Sequence, residues 1–308
     1  MHPRYLTFKV WFDDQAFQQK FLSVELSSNS FMIDSHCHID LKDFDTDRSQ
    51  VLERCIDLGI TDLVIPGVSL AQADAAFKLI EANSRQTDTH QEDGQLTSQL
   101  WQMLGLHPME ISEQYADEQN IKVLRDSLEQ RINLYEPIAI GETGFDARLN
   151  QALPFTELMI LHCELASAYR LPLCVHSVRE HNTVIRLLKR QRFTQGGIVH
   201  AFSGSYEEAK QYADIGFALG VGGIITYERA RKTRETVRKI PLDSLVLETD
   251  SPDMPLAGFQ GERNSPEQLP AVARTLAVIR NDDIDDVIRV TSDTTRRILR
   301  LPPHRPLG

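Results

Sequence analysis

The chain has 308 residues, 41% of them hydrophobic and 25% charged, with a net charge of −11. That is long enough for one large core, and no apolar run approaches the ~18 residues that a membrane span needs. The acidic balance argues against non-specific nucleic-acid binding by the whole surface, while leaving room for a locally basic groove.

The four cysteines, Cys37, Cys55, Cys163 and Cys174, are scattered and form no CxxC pair. This argues against a disulfide framework or a cysteine-only zinc site and makes the cytoplasm the expected compartment. Residues 1–31 carry acidic and polar residues where a signal peptide needs an apolar centre. They are read as an N-terminal extension outside the main domain, which is expected to begin at Met32.

From residue 31 onward, short apolar runs alternate with amphipathic stretches. The runs are 31–36, 60–67, 100–107, 137–142, 171–176, 196–202, 217–223 and 245–250. Their near-continuous apolar character fits strands buried on both faces, as in a parallel sheet. Helix-like stretches lie between them, among them 46–58, 70–83, 118–134, 154–169, 180–192 and 205–214. In the last of these, Ser205 stands three residues before Glu208, the spacing of a capping box. The polar stretch 84–99 lacks apolar periodicity and reads as an extended surface loop.

Repeated strand–helix alternation predicts an α/β fold, a single-domain (β/α)8 TIM barrel over 32–301. The proline-rich residues 302–308 are expected to fray.

Several apolar runs end in a ligand-type side chain: His36 and His38, Glu142, His176, His200 and Asp250. Barrel strands deliver their last residues to one mouth, where barrel active sites lie. Burying so many titratable groups without a partner is costly, and divalent cations are the natural partner for carboxylates and neutral imidazoles. In "MIDSHCHID" (32–40), strand alternation places His36 and His38 on one face and Cys37 on the other, where it packs as a small hydrophobe.

The segments "MIDSHCHID", "IGETGFD" (140–146), "LPLCVHS" (171–177), "GIVHAFSGS" (197–205), "IPLDSLVLETDSPDMP" (240–255) and "GERNSPE" (261–267) resemble, in order, the signatures of the TatD family of metal-dependent hydrolases, within the amidohydrolase-like barrels. The resemblance implies two divalent metal ions. His36, His38, His176, His200 and Asp250 match the family's ligands, and Glu142 matches the carboxylate that bridges the two ions. His107 in "GLHP" matches a position near the site, as a hydrogen-bonding neighbour or a substrate contact. The family usually reads Gly-Leu-Asp-Tyr after the bridging glutamate, whereas this chain reads "GFDARL", a departure that bears on substrate preference and not on metal binding.

Such a pair of ions lowers the pKa of a shared water, and Asp250 serves as general acid and base. The mixed donor set suits Zn²⁺, Mn²⁺, Co²⁺ or Ni²⁺, while the resemblance also implies Mg²⁺-supported nuclease activity. DNA is therefore the expected substrate, cut by a 3′-end exonuclease. Ester or amide hydrolysis, for example of D-aminoacyl-tRNA, is the alternative, with a metal-stabilised scaffold third. The basic stretch 227–239 follows the seventh apolar run. Arg229, Arg231 and Lys232 there, with Arg179 and Arg263, are candidate phosphate contacts or else solvated surface. The sequence suggests no membrane contact and no protein partner.

Overall fold

The computed structural model describes residues 4–9, 21–26, 31–90 and 98–303. Strands β1 (Arg4–Lys9) and β2 (Phe21–Leu26) pair antiparallel in a two-stranded sheet apart from the main one. The main sheet contains β3 (Met32–Asp34), β4 (Ile60–Ile65), β5 (Gln99–Leu104), β6 (Ala139–Asp146), β7 (Leu173–Val178), β8 (Gly197–Val199), β9 (Phe217–Val221) and β10 (Leu245–Leu247). These eight strands are parallel and lie side by side in chain order. The Ser35 N–H donates to the Leu247 carbonyl at 2.9 Å, and the Asp250 N–H donates to the His36 carbonyl at 2.9 Å. These two bonds join the first barrel strand to the last and close the ring.

Helices α1 (Arg48–Asp57), α2 (Leu70–His90), α3 (Glu118–Tyr135), α4 (Phe155–Ala168), α5 (His181–Arg190), α6 (Tyr206–Asp214) and α7 (Arg231–Lys239) connect successive strands, and α8 (Leu269–Arg280) and α9 (Ile284–Leu299) follow β10. The architecture is the (β/α)8 barrel that the alternation predicted. The capping box forms: Ser205 Oγ accepts from the Glu208 N–H and the Glu208 carboxylate accepts from the Ser205 N–H.

The expectation of a loop over 84–99 is overturned at both ends. Helix α2 continues to His90 and β5 begins at Gln99. Apolar periodicity marks only the stretch of a helix that packs one face on the core, so its loss after residue 83 does not mark the end of α2. Residues 91–97 lie outside the described residues, as do 304–308 of the tail.

The inside of the barrel sets the site. One cluster takes a side chain from every barrel strand: Ile33, Val64, Met103, Ala139, Cys174, Ile198, Ala218 and Val246, with Leu299 and Leu301 packed beneath. Each large apolar side chain so buried contributes roughly 1.5–3 kcal/mol. Lower still, the Trp101 Nε1–H donates to Asp62 at 2.9 Å and Arg296 pairs with the same carboxylate at 2.8 Å, fastening α9 across the N-terminal end. Strand side chains alternate with period two. Two residues beyond Cys174 stands His176, two beyond Ile198 stands His200, and two and four beyond Val246 stand Glu248 and Asp250. The apolar floor thus dictates which residues look into the mouth.

Candidate metal centre

Strand β3 ends at Asp34, so His36 and His38 lie past the strand on which the sequence reading placed them. Ladder-like bonds nevertheless continue on both sides: the Cys37 N–H donates to the Val64 carbonyl at 2.9 Å, and the His38 N–H donates to the Ser251 carbonyl at 2.8 Å. The chain bends at residues 35–36, yet these bonds still hold Cys37 and the two histidines on opposite sides. His36 Nε2 and His38 Nε2 lie 3.5 and 3.6 Å from Asp250 Oδ1. Cys37 turns away, fully buried, with its sulfur 3.1 Å from Ser251 Oγ.

Glu142 stands between two sets of histidines. Its Oε2 is 3.3 Å from His36 Nε2. Its Oε1 is 2.6 Å from His200 Nε2, 2.9 Å from His176 Nδ1 and 3.3 Å from His107 Nε2. Burial alone would raise the Glu142 pKa; His200, His107 and His36 outweigh it and hold the carboxylate well below its ordinary range. Asp250 is likewise lowered, its burial outweighed by His38, His200 and His36. Both carboxylates are therefore ionised at neutral pH.

The ring nitrogens sort into ligands and donors. The Asp146 carboxylate is held below its usual range: burial opposes this, but Arg148 and His176 outweigh it. An ionised carboxylate only accepts, so His176 Nε2, 3.2 Å away, must carry the hydrogen. In the neutral ring, Nδ1 then holds a lone pair, facing Glu142 Oε1 at 2.9 Å and His200 Nε2 at 3.0 Å. Burial opposes a proton on His176, but the Glu142 and Asp146 carboxylates on either side outweigh it and raise the ring's pKa; a metal ion at Nδ1 would replace that second proton.

His36 fits the same need. Burial and the neighbouring His200 push it down to about 4, which keeps the ring neutral. Its Nε2 and Glu142 Oε2 are both buried without a hydrogen-bond partner. The donor set of imidazoles and carboxylates suits Zn²⁺, Mn²⁺, Co²⁺ or Ni²⁺. Among the described residues, three groupings bring ligand atoms within 4.8 Å of one another: His36, Glu142 and His200; His36, His38 and Asp250; His107, Glu142 and His176.

His107 differs within its grouping. Its Nδ1 accepts from the Met109 N–H at 3.0 Å, so in the neutral ring Nε2 keeps the proton and points into the site as a donor.

Three supporting residues escaped the sequence reading. Asp146 orients His176. Glu248, fully buried, accepts the Ala201 N–H at 2.5 Å, beside His200; a Cβ on Gly220 would lie 2.2 Å from its Oε2, which explains that glycine. Asp34 accepts from the His36 N–H at 3.2 Å and the Thr249 N–H at 3.0 Å, tying β3 to β10 under the histidine pair. Ala201 and Asp250 both adopt left-handed backbone, with φ of 45° and 55°. That conformation is uncommon for residues other than glycine and clusters at functional sites. "IGETGFD" and "LVLETD" contain Asp146 and Glu248, but their partners are 30 and 47 residues away, so only the fold pairs them.

The proposed phosphate contacts fare differently. The site opens into a cavity of about 500 Å³ lined by His38, His107, Glu142, His176, His200 and Asp250 among others. Arg179, Arg229, Arg231, Lys232 and Arg263 do not line it. Arg263 is committed elsewhere: its guanidinium pairs with Asp47 at 2.6 and 2.7 Å, donates to the Asp43 carbonyl and stacks on Phe44. Arg229 stacks on Tyr227 beside a separate cavity of about 280 Å³. Arg179, Arg231 and Lys232 are exposed.

The family described as TatD related DNase matches residues 33–300. The chain belongs to the TatD family. Over 272 residues it is 35% identical to the uncharacterized metal-dependent hydrolase YjjV of Escherichia coli K12, covering 88% of this chain and 98% of that protein. The crystal structure of YjjV, a TatD homolog, matches with a TM-score of 0.75 at 33% identity, covering 88% and 98% of the two chains. At 28% identity over 278 residues the chain is similar to the 3′-5′ ssDNA/RNA exonuclease TatD of Erwinia amylovora, covering 88% of this chain and all of that one (100%). As a TatD protein it is a metal-dependent hydrolase with a buried His/Glu/Asp cluster able to hold metal. Among the described residues no helix is long and apolar enough to cross a membrane.

Proposed function

We propose that the protein is a phosphodiesterase that removes nucleotides from the 3′ end of single-stranded DNA. The observation that carries the proposal is Glu142. Its Oε2 faces His36 and its Oε1 faces His176, with His200 between the two, close to Oε1 and grouped with His36. That arrangement suits a carboxylate shared between two divalent ions, with His38 and Asp250 completing the set around His36. The name of the TatD relative supports the substrate class. When bound, a pair of divalent ions supplies Lewis acidity and stabilises both the attacking and the leaving oxygen of an in-line displacement.

The chain's own residues do the rest. Asp250, ionised and facing the cavity, accepts the proton of the attacking water and delivers it to the leaving oxygen. His107 lines the same cavity with its Nε2 3.3 Å from both Glu142 Oε1 and His176 Nδ1, and we assign its N–H to a substrate oxygen once metal occupies those two acceptors. Asp146 fixes the His176 ring so that Nδ1 faces inward.

The test is a substrate panel. Metal-loaded protein is offered end-labelled single-stranded DNA, RNA, carboxylic esters and D-aminoacyl-tRNA, with Mg²⁺, Mn²⁺, Zn²⁺, Co²⁺ and Ni²⁺ in turn. Stepwise shortening of the DNA from its 3′ end is the expected result. Turnover of the aminoacyl ester with the DNA left intact would replace this reading by acyl hydrolysis.

A further inference from the structure

The cavity over the metal centre is hostile to anions apart from one side chain. Glu110, Glu142, Asp250 and Asp253 all line it, and Arg148 is the one lining side chain with a permanent positive charge. Arg148 follows β6, two residues past Asp146, in the "GFDARL" segment where the chain departs from the family pattern.

Its guanidinium is held rigidly. Nε lies 2.9 and 3.1 Å from the two Asp146 oxygens and Nη2 lies 2.5 Å from Oδ2, while its own N–H donates to the same carboxylate at 2.9 Å. Asp146 is buried but the Arg148 side chain is 61% exposed. A guanidinium offers five N–H donors in a fixed fork. Asp146 engages Nε and Nη2, and Nη1 has no partner among the described residues. The fork is thus fixed along one edge and open along the other. It is also tied to the metal centre, because the Asp146 that holds it also orients His176.

We infer that Arg148 is a specificity-determining contact that holds an anionic oxygen of the substrate, a phosphate oxygen on the phosphodiester reading on which this inference rests. The cations that the sequence suggested for this task lie away from the cavity, and Arg148 takes it over. Held by Asp146, it gives up little side-chain freedom on binding, and a planar fork matches the spacing of phosphate oxygens. A neutral acyl ester presents no such charge, so Arg148 biases the site toward phosphate esters.

The test uses inorganic phosphate as the probe, titrated into metal-loaded wild type, Arg148→Ala and Arg148→Lys, with metal content measured on the same samples. Losing one charge-assisted contact should weaken phosphate binding about tenfold in Arg148→Ala. Arg148→Lys should recover part of that loss, because it restores the charge without the fork. Metal content should stay at the wild-type level. On single-stranded DNA, Arg148→Ala should raise KM more than it lowers kcat.

A purely supporting role through Asp146 predicts the reverse, with less metal in Arg148→Ala and unchanged phosphate affinity in the metal-loaded fraction. That result would overturn the inference. Phosphate binding that depends on Arg148 in a protein that leaves DNA uncut would uphold the inference and refute the phosphodiesterase reading.

Discussion

His176 divides its two ring nitrogens between a buried carboxylate and the metal centre: Nε2 lies 3.2 Å from Asp146, and Nδ1 lies 2.9 Å from Glu142. Asp146 therefore decides which nitrogen carries the proton. Replacing Asp146 by Asn leaves the shape but removes the charge, and the amide can present a donor to Nε2. Orienting partners of this kind typically contribute 10–100-fold in metal affinity or activity. Asp146→Asn should bind Zn²⁺ or Mn²⁺ about 10–100-fold more weakly by calorimetric titration. An unchanged affinity would mean that His176 does not need Asp146 to present Nδ1.

His107 makes the complementary case. Its Nδ1 accepts from Met109, leaving Nε2–H as a donor. His107→Phe should keep the full metal content and lose activity by about 10²-fold, the scale of one lost oxyanion donor. Loss of metal in this variant would instead make His107 a ligand, as the grouping with Glu142 and His176 also permits.

Cys37 lies between two of the proposed ligands in the chain, yet it faces Ser251 and is fully buried. Cys37→Ala should lose about 1 kcal/mol of stability through the vacated volume and bind as much metal as wild type. A drop in metal content would reverse the assignment of faces along this segment.

His162 provides a pH dependence outside the proposed ligand set. It is fully buried in α4; its Nε2 accepts from the Leu106 N–H at 3.0 Å, and its Nδ1 lies 2.6 Å from the Leu158 carbonyl. Burial pushes it down to about 4, against the opposing bond to Leu158. An unfolded histidine titrates near ~6.5. Between those values the unfolded chain takes up a proton that the folded one refuses. The stability this group contributes is complete above ~6.5 and is lost as pH falls toward 4, by about 1.4 kcal/mol per pH unit. His162→Gln keeps a donor and an acceptor without titrating, so urea unfolding from pH 7 to 4.5 should show a shallower decline than wild type. Parallel declines would contradict the assignment.

The sequence reveals the barrel through its strand–helix alternation and reveals the six proposed ligands because each sits at the end of an apolar run. Asp146, Arg148 and Glu248 stay hidden for a common reason. Each acts through a partner that closes only in three dimensions or lies just past a strand end, and neither periodicity nor charge density marks such a place. Charge density pointed instead to 227–239. There Arg238 and Lys239 pair with Glu235, and Arg234 donates to the Ile225 carbonyl, the ordinary self-pairing of a surface helix. Cys37 is buried against Ser251, the packing role the sequence predicts, although β3 ends at Asp34 and the expected strand alternation does not run on as a regular strand.

The central claim is that this metal centre cuts phosphodiesters with Asp250 moving the proton. The most direct measurement follows 5′-labelled single-stranded DNA on a sequencing gel, with metal-loaded wild type, chelator-stripped wild type and Asp250→Asn side by side. The account predicts a descending ladder with metal-loaded protein, none after stripping, and at least a ~10²-fold slower ladder with Asp250→Asn. Intact DNA with every one of Mg²⁺, Mn²⁺, Zn²⁺, Co²⁺ and Ni²⁺, or a ladder of unchanged rate with Asp250→Asn, would contradict it.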